Sequence, residues 1–342
     1  MKKITVLLLA LFMLVGALAG CGKQNDTNQT DKLSIVTTIF PEYDWVRQIL
    51  GDKADNADVT MLLDNGVDLH SYQPTADDIV KISDCDLFIY VGGESDGWVE
   101  DALKNATNKD MKVVNLLEVL GDKVKNEEVV EGMQEEEHEH EEGEEHEEGE
   151  EHEHEEGEEH EHEEEADEHV WLSLKNAEVL VGTISNALQE VDPGNKDAYA
   201  ANADAYVKKL SALDAEYQTA VDNAARKTVL FGDRFPFRYL ADDYGLNYYA
   251  AFVGCSAETE ASFETISFLA KKVDELKLPC VLTIEGKNHK IAETIVKNTA
   301  QKSQRILTMD SMQSTTSKDV ASGTTYLSVM DKNLAVLKEA LA

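Results

Sequence analysis

Cysteine is scarce in this 342-residue chain: four residues, Cys21, Cys85, Cys255 and Cys280, with no C-x-x-C pair among them. A thiolate zinc site announces itself through close cysteine pairs, so Cys85, Cys255 and Cys280 are set aside from any metal site. If Cys21 is consumed elsewhere, at most two can pair, and connectivity is not readable from sequence. Positive charge is the second shortage. Lys and Arg number 31 against 68 Asp and Glu, a net charge of −37. No basic stripe exists, which excludes nucleic acid as a partner. Long apolar runs are the third, since only Ile4–Ala19 qualifies and it falls short of the roughly 20 residues of a comfortable bilayer span. There is also no H-E-x-x-H pair and no organised nucleophile. A zinc hydrolase with His70, His169 and an acid as ligands and Glu285 as base is the enzymatic alternative. Without those signatures the chain is read as a non-enzyme.

What the chain has in excess is glutamate and histidine. Between Glu135 and Glu168 stand 22 Glu, 1 Asp, 7 His, 3 Gly and 1 Ala, and nothing else. Such a composition has no apolar side chains to offset the entropy of ordering, so it is expected to be a disordered loop. Its imidazoles, His138, His140, His146, His152, His154, His160 and His162, are good ligands for zinc, copper and nickel, and the carboxylates add oxygen donors. The tract is expected to bind divalent metal weakly at several places. Outside it, 45 acidic residues face 31 basic ones, a net charge of −14 that is ordinary for a secreted protein.

The N-terminus reads as an address. Lys2 and Lys3 precede the apolar run, which closes on Leu18-Ala19-Gly20-Cys21, the layout of a secretory signal peptide. Cysteine just after the cut resembles the bacterial lipobox, in which the thiol is lipidated. Residues 1–20 are therefore expected to be a signal peptide and 21–32 a tether. The mature protein is then expected on the extracytoplasmic side of the cell membrane, held by the lipid on Cys21.

From Leu33 onward, short Val/Ile/Leu runs alternate with amphipathic stretches. Strands are expected at Leu33–Ile39, Val59–Leu63, Leu87–Val91 and Val113–Leu117, with helices at Glu42–Leu50, Ala76–Ile82 and Trp98–Lys104. The second half repeats the scheme, with strands at Val229–Phe231, Tyr248–Val253, Val281–Ile284 and Ile306–Met309. Strand and helix in alternation imply an α/β fold of two doubly wound lobes, each with a short parallel sheet. Between them, after Asp192-Pro193-Gly194-Asn195, no Pro or Gly occurs until Gly232. Tyr199, Ala203, Tyr206, Leu210, Leu213, Tyr217 and Ala220 make one helical stripe there. A helix of about 42 Å follows at 1.5 Å per residue, long enough to serve both lobes as a backbone. The expected boundaries are 33–191 for the first lobe, with the insertion at 127–168, then 192–226 for the linking helix and 227–342 for the second lobe.

Ligands of open α/β sheets bind beyond the carboxyl ends of the strands. His70 falls there, on a short loop between Gly66 and Pro74, as do Glu285 and Asp310. His169 stands where the tract meets apolar sequence. The segments Gly66…His70-Ser71-Tyr72-Gln73-Pro74-Thr75-Ala76-Asp77-Asp78 and His169-Val170-Trp171-Leu172-Ser173…Asn176-Ala177 closely resemble the two histidine segments of bacterial zinc/manganese solute-binding lipoproteins. The acidic, histidine-rich insertion resembles the zinc-type members of that family. Asp192-Pro193 with its long helix and Thr325-Tyr326…Met330-Asp331-Lys332-Asn333-Leu334 are similar too.

The resemblance implies two lobes on a rigid helix with a metal in the cleft between them. His70 and His169 carry over as ligands, and Asp310-Ser311 matches the family's last ligand segment. The family's remaining donor, a His or Glu five residues before the aromatic that opens Tyr239-Leu240-Ala241-Asp242-Asp243-Tyr244-Gly245, is replaced by Arg234. A guanidinium has no lone pair for a cation, so that position is open among Asp233, Glu285 and water, and Arg234 is expected to pair with a carboxylate. The implied function is capture of one divalent ion, Zn2+ with Mn2+ as the alternative, and its delivery by a monomer to the permease of an ABC importer. The histidine tract favours zinc, because manganese gains little from extra imidazoles. A surface metal-storage or adhesin lipoprotein is the other alternative.

Overall fold

The computed structural model describes residues 32–134, 165–256, 260–286 and 288–342. Cys21 and the tract histidines His138, His140, His146, His152, His154, His160 and His162 lie outside the described residues.

The first lobe is a four-stranded sheet in the order β2-β1-β3-β4, every neighbouring pair parallel. Its strands are β1 (Leu33–Thr37), β2 (Ala57–Met61), β3 (Leu87–Tyr90) and β4 (Lys112–Asn115). The crossovers are α1 (Phe40–Leu50), α2 (Ala76–Asp84) and α3 (Val99–Lys104). Pro41 sits in the first turn of α1, where its missing N–H costs nothing, and the Thr75 hydroxyl accepts from Asp78 N to cap α2. The short α4 (Leu116–Leu120) closes the lobe's strand-helix alternation.

Two helices follow. One is α5 (Leu174–Val191), which no expectation above included. Its signal was present, for Leu174, Ala177, Leu180, Val181, Ile184 and Leu188 are buried at helical spacing and Ser173 caps it. The other, α6 (Lys196–Asp222), is the expected long helix, 27 residues and so about 40 Å. Its buried stripe runs from Tyr199 to Val221, one residue beyond the expected Ala220.

The second lobe repeats the first sheet's order as β6-β5-β7-β8, again all parallel. The strands are β5 (Thr228–Phe235), β6 (Asn247–Val253), β7 (Cys280–Thr283) and β8 (Arg305–Thr308). Around them pack α7 (Arg238–Tyr244), α8 (Phe263–Leu276), α9 (Lys290–Asn298), α10 (Ser317–Ala321) and α11 (Tyr326–Ala340).

One hydrophobic core runs through both lobes, and specific bonds register them. The Tyr206 hydroxyl of α6 reaches Asp44 in the first lobe at 3.4 Å, and the Tyr217 hydroxyl donates to Met330 O in the second at 2.6 Å. Trp45 and Tyr326 meet edge-to-face with centroids 5.2 Å apart. The Tyr326 hydroxyl donates to Trp171 O at 2.7 Å, while Trp171 Nε1 donates to Ser311 O at 2.8 Å. The hydroxyls of Tyr206, Tyr217 and Tyr326 and the indole N–H of Trp171 thus tie the connecting helix and the two lobes together, which makes the lobe-to-lobe geometry specific.

Residues 127–134 and 165–168, expected to belong to the insertion, are placed against the fold. Glu127 N bonds Glu165 O at 2.8 Å and Asn126 bridges Ala166. The stretch before residue 135 lies along the second lobe. Glu128 accepts from Arg238 and from Tyr248 at 3.0 Å, and Gln134 N donates to Ala251 O at 2.9 Å. Polar side chains at 127, 128 and 134 find partners there, and a compositional reading of the tract could not show them.

Candidate metal centre

His70 is delivered by a single 3-10 turn after β2, Leu69–Ser71. Asp68 caps that turn by accepting from His70 N at 3.1 Å, and buried Leu69 anchors it. His169 is delivered from the other side of the tract. Val170, Trp171 and Leu172 behind it are fully buried, so the imidazole is set on a rigid base.

The two rings converge. His70 Nε2 and His169 Nε2 are 3.2 Å apart, although the residues are 99 positions apart in sequence. Each ring is held by its other nitrogen. His169 Nδ1 lies 2.9 Å from Asp167 Oδ1, which also accepts from His169 N at 2.9 Å. His70 Nδ1 lies 2.8 Å from Ser95 Oγ and 3.5 Å from Glu168 Oε2. With Nδ1 of each ring engaged in this way, both Nε2 atoms are left facing one point. Two nitrogens on a tetrahedral zinc at 2.0–2.1 Å are separated by about 3.3 Å, so the pair is already at ligand spacing. Burial, then the neighbouring His169, depresses His70 to about 3, which keeps its imidazole neutral and ready to ligate.

The second lobe closes over the pair. Gly254, just after β6, lies so near that an added Cβ would come within 3.1 Å of His169 Cε1 and Nδ1 and 3.0 Å of Phe235 O. Beside it, Cys255 joins the group. The ligating atoms of His70, His169 and Cys255 all lie within 4.8 Å of one another, although the sequence set this cysteine aside. Its exclusion rested on spacing in the chain, and here the partners are histidines brought by the other lobe.

Arg234 forms an ion pair with Asp68 and donates from Nη1 to Ser256 O at 3.3 Å, the expected carboxylate pairing. Three expected carboxylates fall outside the group of close donors among the described residues. Asp233 accepts from Arg234 N at 3.0 Å and Ile284 N at 3.3 Å. Glu285 accepts from Ser311 N at 2.6 Å, Ser311 Oγ at 2.8 Å and Gln313 N at 3.1 Å, and so clamps the loop after β8. Asp310 accepts from Met312 N at 2.8 Å, and burial together with Glu285 raises its carboxyl to about 6. Backbone N–H groups hold both oxygens of Asp233 and of Glu285, and Oδ1 of Asp310.

Two parallel α/β lobes on one long helix, with paired imidazoles where the lobes meet, define a bilobed fold with a candidate metal centre. The chain belongs to the family described as ZnuA, zinc-uptake complex component A, periplasmic, whose profile matches residues 35–340. It is 33% identical over 339 residues to the zinc-binding lipoprotein AdcA of Streptococcus pneumoniae, covering 99% of this chain and 61% of that protein. The chain thus spans about three-fifths of the length of that relative. It is 32% identical to the high-affinity zinc uptake system protein ZnuA of Bacillus subtilis, covering 97% of this chain and 95% of that one. The crystal structure of the Zn(II)-bound ZnuA-like domain of S. pneumoniae AdcA superimposes with a TM-score of 0.66 at 29% identity, covering 91% of this chain and 99% of that domain. The metal-dependent lipoprotein YcdH of B. subtilis gives 0.69 at 27% identity, covering 91% and 99%.

Proposed function

We propose that this protein captures one zinc ion between its lobes and delivers it to the permease of an ABC importer. The observation that carries the reading is the pair of Nε2 atoms 3.2 Å apart, each ring oriented by an acceptor on Nδ1. Relatives named for zinc binding and zinc uptake, and a Zn(II)-bound neighbour, support zinc as the cargo. Imidazole donors also suit zinc better than manganese, which prefers oxygen. His70 and His169 act as the first-lobe ligands. Asp310 is the proposed carboxylate of the second lobe. Its loop packs beside the His169 segment through Trp171 and Ser311, and Ser314 and Thr316 lie against Gly66 on the His70 loop.

The protein's own work is binding and release, without chemistry on the ion. The lobes, fixed by α6 and the tyrosine contacts, hold the ligands in place before metal arrives, which lowers the entropy cost of capture. The division into signal peptide, tether, lobes and linking helix, and anchorage on the extracytoplasmic face through Cys21, belong to the same proposal. A relative named as a lipoprotein supports the anchorage.

Competition against a chelator of known strength tests the reading. His169→Ala should weaken the tight zinc site by orders of magnitude, and unchanged affinity would remove this site from the function. Storage by the tract is separated by the same titration, because it predicts loss of tight binding with the tract rather than with His169.

A further inference from the structure

Cys255 is the one donor in the close group that no sequence signal marked. We propose that Cys255 ligates the captured ion, adding a thiolate to the two imidazoles and the proposed Asp310 carboxylate, and that this sulfur selects zinc-like ions against manganese. The inference rests on the proposed metal-capture function and names a further ligand of that site.

Geometry carries it. A tetrahedral zinc with nitrogen at 2.0–2.1 Å and sulfur at 2.3 Å spaces N and S by about 3.6 Å. The three donor atoms already lie within 4.8 Å, so a shift on the order of 1 Å at most brings the thiol into bonding position. The turn that bears Cys255 leaves the carboxyl end of β6, the edge at which open α/β sheets bind ligands. It is held from both sides. Cys255 N donates to Glu127 Oε1 at 2.8 Å, and at Gly254 an added Cβ would crowd the His169 ring.

Arg234 supplies the third restraint. Its guanidinium cannot ligate, yet it bridges Asp68, two residues before His70, to the carbonyl of Ser256, one residue after Cys255. The residue that replaces a donor therefore ties the cysteine turn to the histidine loop. Cys85 and Cys280 have other surroundings: Cys85 is buried and bonds Ile82 O at 3.3 Å, and Cys280 is buried in β7. On binding, the Cys255 S–H bond breaks, a metal–sulfur bond forms, and the proton leaves to water. Burial, and after it the carboxylates of Glu127, Asp167 and Glu168, push the Cys255 thiol well above its ordinary value, so the thiol keeps its proton until a cation displaces it. Thiolate favours zinc over manganese, which takes carboxylate, carbonyl and water.

X-ray absorption at the zinc edge on the full chain, loaded with half an equivalent so that the tightest site fills first, tests the assignment. A sulfur shell at about 2.3 Å should stand beside nitrogen and oxygen at 2.0–2.1 Å. Cys255→Ser should remove that shell and weaken zinc by about 100-fold or more, at or beyond the upper end of what outer-shell losses cost. The preference for zinc over manganese should fall with it. Cys255→His should restore tight zinc without sulfur, which a merely structural cysteine would not do. A shell of nitrogen and oxygen alone, in protein whose tight binding is lost in His169→Ala, overturns the cysteine assignment and leaves the capture function standing. A sulfur shell that survives Cys255→Ser also overturns it. Zinc binding indifferent to His169→Ala overturns the function and this inference with it.

Discussion

Asp167 offers a test of how the site is organised, because it touches the proposed ligand His169 and is itself no member of the close donor group. Its Oδ1 accepts from both His169 N and His169 Nδ1 at 2.9 Å, and it is buried beneath the ring. Removing such a partner frees the imidazole to rotate and to take the wrong tautomer. Loss of an outer-shell carboxylate costs about 10–100-fold in metal affinity, which is about 1.4–2.7 kcal/mol. Asp167→Ala should sit near the upper end, since both bonds vanish. Asp167→Asn keeps an acceptor oxygen in place and loses only the charge, so it should sit near 10-fold. The order wild type, Asn, Ala, His169→Ala should then appear in a chelator competition at fixed pH. Thermal unfolding of the metal-free variants separates affinity from folding. If Asp167→Ala binds zinc as tightly as wild type, the ring is oriented by Trp171 and Gly254 packing alone, and the carboxylate argument is wrong.

Asp96 should report on pH. Burial is the main cause that raises its carboxyl to about 7, so the charged form is a burden above that value and the burden is relieved as protons bind on acidification. Asp96→Asn, which keeps an acceptor for Gly92 N, should stabilise the metal-free protein by on the order of 1 kcal/mol more at pH 8 than at pH 5, with the effect gone only below the unfolded carboxyl value of 3.8. Equal effects at both values in denaturant melts would contradict it. Deleting residues 135–164 while keeping the bonded edge at Glu165 and Asp167-Glu168-His169 should remove several weak zinc sites in calorimetry and keep one tight one. Loss of the tight site would mean the tract supplies a primary ligand. Cys21→Ser should move the protein from the membrane fraction to the soluble one, and retention after a salt wash would exclude a lipid anchor.

Much of the fold was legible because its signals are local. The eight strands fall within a few residues of the expected ones, since Val/Ile/Leu runs between polar turns mark buried parallel strands wherever they pack. The tyrosine and leucine stripe of α6 was readable for the same reason. The helix α5 also carries a local signal, since its buried positions repeat every three or four residues behind the Ser173 cap. The flanks of the insertion carry no such local signal. Glu127 and Gln134 look like tract by composition and are placed by partners more than a hundred residues away, Cys255 N and Ser262 N.

The sequence by itself determined the two α/β lobes, the long helix between them, and the local turns that present His70 and His169. Asp68, Gly66 and Pro74 around one, and the apolar Val170-Trp171-Leu172 beside the other, are all within a few residues of the imidazole they serve. Only the tertiary structure decided that the two Nε2 atoms meet at 3.2 Å, that Arg234 finds Asp68, and that Cys255 faces both rings. Those encounters join residues 99, 166 and 86 to 185 positions apart. Spacing in the chain carries information only over the few residues that share a turn, a helix face or a strand. Which side chains meet across the cleft depends on how the lobes dock, and that is set by Tyr326 on Trp45, Trp171 on Ser311 and α6 along both.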